Sequence, residues 1–213
     1  MQIDRAIRFL AIAAVTVTGV MATPILAQDR YRVRGTLAAV ALPGFTVETL
    51  DGESLELTLG EESEIYSVKP GAIDDIDEGQ FVGITSIDAA GDRRIALEVH
   101  IFAEDLRGLG EGHYPWDLVS EPNMMTNAAV AEITKVEGGP LLTVTYAEGE
   151  DDEKNQGRQA IQIPSDIPIV HLAKSDAAVL ATGKDVFLFL QDDEAGNTTS
   201  LAVAVGEGIR PPM

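Results

Sequence analysis

The chain has 213 residues, a formal net charge of −20 at pH 7, and no cysteine. A negative charge of that size repels nucleic acid and anionic lipid surfaces, so both are excluded as partners. Without disulfide bonds, the stability of the chain must come from packed hydrophobic cores.

The first 27 residues are typical of a secretory signal peptide. Arg5 and Arg8 precede an apolar run over residues 9–22, and a small residue, Ala27, ends the segment. The run is shorter than the roughly 20 apolar residues that a membrane span needs, so an uncleaved anchor is the less favoured alternative. We therefore expect a periplasmic or secreted protein with no membrane span in its mature form. Cleavage after Ala27 leaves 13 basic and 34 acidic residues, a net charge of 13 − 34 = −21.

The segment from residue 28 to residue 104 has the pattern of short β-strands. Apolar and polar residues alternate in stretches that are separated by Gly, Pro, Asp and Asn. Asp51-Gly52 is a strong hairpin signal between two of these stretches. The pattern predicts one helical turn over residues 72–76, and strands over 33–40, 45–50, 54–59, 64–68, 80–87 and 94–102.

The segment 128–213 repeats this order of strands. Gly79 and Gly183 are 104 residues apart, and so are Leu97 and Leu201, which indicates an internal duplication. A charged insertion over residues 148–158 replaces the tight hairpin turn of the first copy. The strands predicted here cover residues 129–133, 142–146, 160–163, 169–172, 183–186 and 201–203.

The fold class that these patterns predict is all-β. Five or six short strands in each copy would leave exposed edges in an open sheet, and closure into a small barrel removes those edges. We expect two tandem small β-barrels of the OB or SH3-like kind, over residues 28–104 and 128–213, connected by a joint over residues 105–127. A single two-sheet sandwich is the alternative.

Several motifs resemble the DUF5666 type of exported bacterial β-domain. They are Val33-Arg-Gly-Thr36, the Asp51-Gly52 hairpin, Lys69-Pro-Gly71, Glu78-Gly-Gln-Phe-Val82 and Ala96-Leu-Glu-Val-His-Ile-Phe102. The joint, with Gly110-Glu-Gly-His-Tyr-Pro-Trp-Asp-Leu118 and Met125-Thr-Asn127, and the closing Pro211-Pro-Met213 are similar to a proteobacterial subset of that family. The resemblance implies an exported β-domain protein and carries no established activity. The acidic insertion is longer than the resemblance leads one to expect.

The joint also contains the only tryptophan of the chain. Trp116 with Tyr114 and Pro115 could form an aromatic platform for an apolar or sugar-like ligand. The favoured alternative is structural: Trp116 fills one barrel and fixes the angle between the two barrels.

A metal site is the second hypothesis, with His100, His113 and Asp117 as candidate ligands. Glu98 and His100 are two residues apart on a predicted strand and therefore share a face. A glycine-rich joint could fold His113 and Asp117 over that face. Imidazole with carboxylate suits zinc or nickel, and imidazole with the thioether of a methionine suits copper. The alternative is that Glu98 and His100 form the solvent face of an edge strand.

These patterns favour a non-enzymatic binding or accessory protein of the bacterial envelope. The expected partner is an envelope protein or a small ligand, whose identity the sequence leaves unknown. A periplasmic protein for copper, zinc or nickel is the alternative, and no cofactor other than that metal ion is expected. Nucleophilic catalysis has little support, because the chain lacks cysteine and a Gly-x-Ser-x-Gly motif.

Overall fold

Almost all regular secondary structure in the described residues is β-strand. A computed structural model describes residues 30–91, 93–148, 155–192 and 197–213, so the predicted signal peptide and residues 149–154 of the insertion lie outside it. The described ranges contain short 3-10 turns and no α-helix, which confirms the all-β prediction. The strands are β1 (Arg30–Ala41), β2 (Gly44–Thr49), β3 (Ser54–Pro70), β4 (Phe81–Asp88), β5 (Arg94–Phe102), β6 (Gly112–Trp116), β7 (Asn123–Thr134), β8 (Leu141–Glu148), β9 (Asn155–Gln162), β10 (Ile169–Lys174), β11 (Asp185–Asp192) and β12 (Thr198–Gly206).

The 3-10 turns cover Ile73–Asp75, Glu104–Leu106 and Ala177–Val179, and the first of them lies within the predicted turn over 72–76. In the part of the chain that the structure describes, no helix has the length and apolar character needed to cross a bilayer.

A closed barrel of five strands forms one end of the molecule. β4 pairs with β5, β5 with β9, β9 with β8, β8 with β7, and β7 with β4 again. Its interior is a buried apolar cluster that includes Ile84, Val99, Val144 and Ile161. Closure leaves these strands without free edges, as the predicted barrel required.

Five of the other strands also pair in a cycle. β1 pairs with β2, β2 with β3, β3 with β12, β12 with β11, and β11 with β1. A second buried apolar cluster, which includes Leu37, Val47, Leu188 and Val203, lies among them. β10 connects the two groups, because it is antiparallel to β3 and parallel to β5.

Each group takes strands from both halves of the sequence, which corrects the predicted segment boundaries. β1, β2 and β3 join β11 and β12, whereas β4 and β5 join β7, β8 and β9. The segments 28–104 and 128–213 are therefore not separate pairing units. The cause lies in β3, where the strands expected over 54–59 and 64–68 are one strand of 17 residues. At about 3.3 Å per residue it extends beyond the first group and carries the chain into the other.

The structure repeats with the spacing that the sequence predicts. β4 and β11 begin 104 residues apart, as do β5 and β12, and both pairs have a register shift at the same place. The backbone hydrogen bond from Gly183 N to Leu37 O has its counterpart in that from Gly79 N to Val130 O. The internal duplication is therefore visible in the backbone.

A pseudo-twofold axis relates the two copies. Where β3 pairs with β10, Val68 lies opposite Leu172, its own equivalent 104 residues later. A pairing in which a residue meets its own equivalent places the axis at that pair, as in an isologous contact between two identical subunits. A third buried cluster, with Tyr66, Phe102 and Phe187, lies beside this axis and contains the candidate site.

Candidate ligand-binding cavity

A cavity of about 480 Å³ opens between the two groups of strands. Its size is within the range of small-molecule sites in proteins. The lining comes from nine separate places in the chain, mainly from aromatic and other apolar side chains. Among them are Tyr66, Phe102, Tyr114, Trp116, Met125, Leu172, Phe187, Phe189, Ala202, Ala204 and Met213.

The alternation of β5 determines which of its side chains face the cavity. Val99 and Ile101 point into the closed barrel. Their neighbours His100 and Phe102 point outward and line the cavity. Glu98 shares this outer face, as predicted, but the solvent-face alternative is wrong because Glu98 and His100 are 0% and 2% exposed.

Aromatic rings build one wall. Phe187 and Phe189 meet edge to face with ring centroids 5.1 Å apart, and Trp116 lies 6.3 Å from each. Tyr114 packs against Trp116 at 6.0 Å. The guanidinium of Arg32 lies 4.1 Å from the centre of the Trp116 ring, a cation–π contact that holds the indole in place.

The predicted aromatic pair, Trp116 and Tyr114, therefore lies in the lining of the cavity. Trp116 is partly buried against the third cluster and belongs to neither of the other two cores. It contacts side chains of β1 and β11 from β6, so it packs between the two groups of strands rather than inside a barrel. Trp116 therefore both packs against the third cluster and lines the cavity.

Some polar atoms in and behind the cavity wall are buried and, within the described residues, lack hydrogen-bond partners. These atoms are His100 Nε2, Asn127 Oδ1 and Trp116 Nε1, together with Glu98 Oε2 behind His100. His100 Nε2 lies 3.4 Å from Glu98 Oε2 without the geometry of a hydrogen bond. The hydroxyl of Thr85 donates to the other carboxyl oxygen of Glu98. Buried polar atoms are usually satisfied, so it is notable that three such atoms belong to residues that line one cavity.

The amide of Asn127 has a defined orientation. Its Nδ2 group donates to the carbonyl of Leu109 at 3.0 Å and to the hydroxyl of Tyr114 at 3.2 Å. If Nδ2 and Oδ1 exchanged places, the bond to the Leu109 carbonyl would be lost, because two acceptor oxygens would face each other, so Oδ1 is left as an acceptor. Burial raises the pKa of Tyr114, so its hydroxyl is protonated at neutral pH.

Three arginines of β1 lie beside the cavity. Arg30 belongs to the lining, and Arg32 and Arg34 follow at alternate positions of β1. Arg32 and Arg34 form ion pairs with Asp117 at 3.1 Å and 3.0 Å. Asp117, one of the predicted metal ligands, is therefore engaged with these two arginines.

The other predicted metal ligands are placed apart. His113 stacks against Tyr146 and its Nδ1 lies 2.8 Å from the hydroxyl of Thr126. Burial, and then the positive charge of Arg94, lower the pKa of His113. His100 lies in the cavity with Glu98, so the predicted set of His100, His113 and Asp117 does not converge. Among the described residues, no three histidine or carboxylate side chains are grouped in a way that could hold a metal ion.

A second depression, of about 500 Å³, is lined by residues of β1, β2, β3 and the start of β12. Ala39, Phe45, Glu56 and Thr58 contribute to its lining. None of the buried polar atoms without partners in the described residues belongs to it. The aromatic cavity is therefore the better candidate.

Comparison with protein-family models, with curated proteins and with solved structures finds no match to this chain.

Several residues of the cavity were not predicted from the sequence. Asn127, Phe187 and Phe189 come from strands that reach the site only because strands are exchanged between the two halves. One sequence signal was available. Residues 186–190 are apolar on both faces of their strand, a pattern typical of a strand that is covered on both sides.

Proposed function

We propose that this protein is an exported, non-enzymatic binding protein of the bacterial envelope that holds a small, largely apolar molecule in the aromatic cavity. The observation that carries the proposal is the cavity itself. It combines an apolar lining with a few buried polar atoms in fixed positions, the usual composition of a small-molecule site. Its walls offer contact and hydrogen bonding, which suit binding rather than catalysis.

Export, the family and the detailed architecture are part of the same proposal. The basic and apolar pattern of residues 1–27 supports export. The motifs that resemble the DUF5666 type support an envelope protein. We further propose that the two cyclic groups of strands are two small barrels of the OB or SH3-like kind. Their separate apolar clusters support this description.

A neutral fluorescent probe tests the binding function. N-phenyl-1-naphthylamine is apolar and absorbs where tryptophan emits, and Trp116 is the only tryptophan. We expect saturable binding with one probe per chain, quenching of Trp116 emission, and a higher melting temperature in the presence of the probe, because a ligand that binds only the folded state stabilises it.

Two variants in which an alanine is replaced by phenylalanine show where the probe binds. Ala202→Phe places a ring in the aromatic cavity and should abolish binding, whereas Ala39→Phe places the same ring in the second depression and should leave binding unchanged. Both positions lie on strands and neither is fully buried, so the two substitutions are matched. Absence of saturable binding, or loss of binding in Ala39→Phe alone, would contradict the proposed function.

A further inference from the structure

The lining of the aromatic cavity carries a positive charge. Among the described residues that form this lining, Arg30 contributes a guanidinium group and none is aspartate or glutamate. The chain as a whole has 35 acidic and 15 basic residues, so an acidic side chain would be the more frequent one at an arbitrary place. A basic group beside an apolar cavity is complementary to a ligand with a negative charge.

No carboxylate of the described residues forms an ion pair with Arg30. Its Nε group donates to the amide oxygen of Gln191 at 3.1 Å, which is a neutral partner. Arg32 and Arg34, which follow at alternate positions of β1, share the carboxylate of Asp117. Their guanidinium groups lie 4.1 Å and 5.1 Å from ring centres of the aromatic wall. Three arginines with one carboxylate leave an excess of positive charge beside the cavity.

Carboxyl groups of the surrounding strands are engaged elsewhere. Asp192 accepts a hydrogen bond from the hydroxyl of Tyr31, whose side chain lies on the face of β1 opposite the arginines. Glu98 is 0% exposed and lies behind His100, and the hydroxyl of Thr85 donates to it. Neither carboxyl group therefore compensates the charge of Arg30.

The cavity differs between its solvent side and its inner side. Arg30 is exposed, whereas His100 is 2% exposed, so Arg30 lies toward solvent and His100 toward the interior. An acid group beside His100 would come close to Glu98, and two carboxyl groups in one buried place oppose each other's ionisation. An acidic ligand would therefore bind with its acid group at Arg30 and its apolar body against the aromatic rings.

We propose that the ligand is an amphiphile with one acidic group, an apolar carboxylic acid in its ionised form, and that Arg30 binds that group. This inference rests on the proposed function, because it names the chemical class of the molecule that the aromatic cavity holds. The guanidinium of arginine offers paired N–H donors that match the two oxygens of a carboxylate. Arg30 is thus the residue that determines specificity, while the aromatic rings supply contact area.

A series with one apolar chain and three headgroups tests the class of ligand. Decanoate, 1-decanol and decylammonium each compete with N-phenyl-1-naphthylamine at about pH 7.5, where a carboxylate is ionised. We expect decanoate to bind about threefold to tenfold more tightly than 1-decanol, between the strength of an exposed ion pair and that of a charge-assisted hydrogen bond. Decylammonium should bind no more tightly than 1-decanol. The net charge of −20 disfavours an anion, so a preference for decanoate has to come from local charges.

Charge reversal at Arg30 assigns the preference to this residue. Arg30→Glu should make 1-decanol bind more tightly than decanoate, and Arg30→Gln should reduce the preference to about twofold or less. Arg158→Glu is the matched control, because it changes the net charge by the same amount on β9, outside the lining of the cavity. This control should keep the preference for decanoate. The two affinities are compared within each variant, so a general effect on the cavity cancels.

The outcomes separate the two proposals. If 1-decanol or decylammonium binds as tightly as decanoate, or if decanoate does not displace the bound probe, the acid inference is overturned and the proposed function stands. A preference that persists in Arg30→Glu, or that Arg158→Glu also abolishes, overturns the inference as well. If neither the decyl compounds nor N-phenyl-1-naphthylamine bind, the proposed function itself fails.

Discussion

The pKa of His113 makes the stability of the fold depend on pH. Its ring is partly enclosed by Tyr146 and Thr126, and burial is the main reason that its pKa is lowered from 6.5, with the charge of Arg94 as the second cause. Nearby Asp88 and Glu148 oppose the effect. The folded protein therefore binds this proton less tightly than the unfolded chain does.

We therefore predict that stability falls as the pH falls from about 6.5 toward the lower pKa of folded His113, because the unfolded state takes up more protons in that window. Above pH 6.5 this contribution is fully present. His113→Gln should make the free energy of unfolding in urea less dependent on pH between 7.5 and 5.5. NMR titration of the ring should give a pKa below 6.5, and a value at or above 6.5 would contradict the prediction.

The residues of the site show what the sequence could predict at this scale. Trp116 and Tyr114 could be identified because rare aromatic residues in a short segment stand out. The shared face of Glu98 and His100 followed from strand alternation. The separation of His113 from His100 could not be predicted, because it depends on β6 pairing with β7, which turns neighbouring residues of the joint to opposite faces.

At the level of elements, the glycine-rich turn before β6 covers the cavity. Gly108 and Gly110 both have positive φ angles, 86° and 59°, which favour glycine. A Cβ atom at Gly108 would meet nothing within 4 Å, whereas one at Gly110 would lie 3.0 Å from Asn127 Nδ2 and 3.2 Å from the hydroxyl of Tyr114. Of these two glycines, Gly110 is the one that lies close to the polar side of the site.

The two glycines form a matched pair of variants. Gly108→Ala and Gly110→Ala should each lower the free energy of unfolding by about 1 kcal/mol, because alanine is strained at positive φ. Gly110→Ala should also displace Asn127 and Tyr114 and weaken binding of N-phenyl-1-naphthylamine by roughly threefold or more. Urea denaturation and a fluorescence titration of both variants measure the two effects. Equal binding by the two variants would show that the turn does not position the site.

Strand prediction succeeded where the alternation of residues alone defines the strand. It failed where the continuity of a strand depends on its pairing with another strand. The expected strand over residues 94–102 coincides with β5. The strands expected over 54–59 and 64–68 merge into β3, where the partner residue jumps from Leu59 to Glu64 while β12 advances only from Ser200 to Ala202. In the sequence alone, residues 60–63 interrupt the alternation and look like the end of a strand. The pairing with β12 shows that the strand continues through them.

For the whole molecule, the duplication and the exchange of strands explain why the cavity lies where it does. Each half of the chain contributes strands to both cyclic groups, and the halves are related by the axis at Val68 and Leu172. The spacing of 104 residues could be predicted from sequence. The exchange of strands could not be predicted, because a strand and its equivalent in the other copy present similar edges for pairing. Which of the two is paired depends on the long β3 and on β10, which lies between the two groups.

This exchange predicts that the two halves stay together after the chain is cut. Residues Ser120, Glu121 and Pro122 are exposed in the connection between β6 and β7. A specific protease site inserted between Ser120 and Glu121 would divide the chain into β1–β6 and β7–β12. After cleavage, the two fragments should elute together in native size-exclusion chromatography, because separation would break the pairs β1–β11, β3–β12, β4–β7 and β5–β9. Cleaved protein in concentrated urea, where the fragments should elute apart, is the control. Two consecutive independent barrels would instead separate without denaturant, and that result would contradict the exchanged pairing.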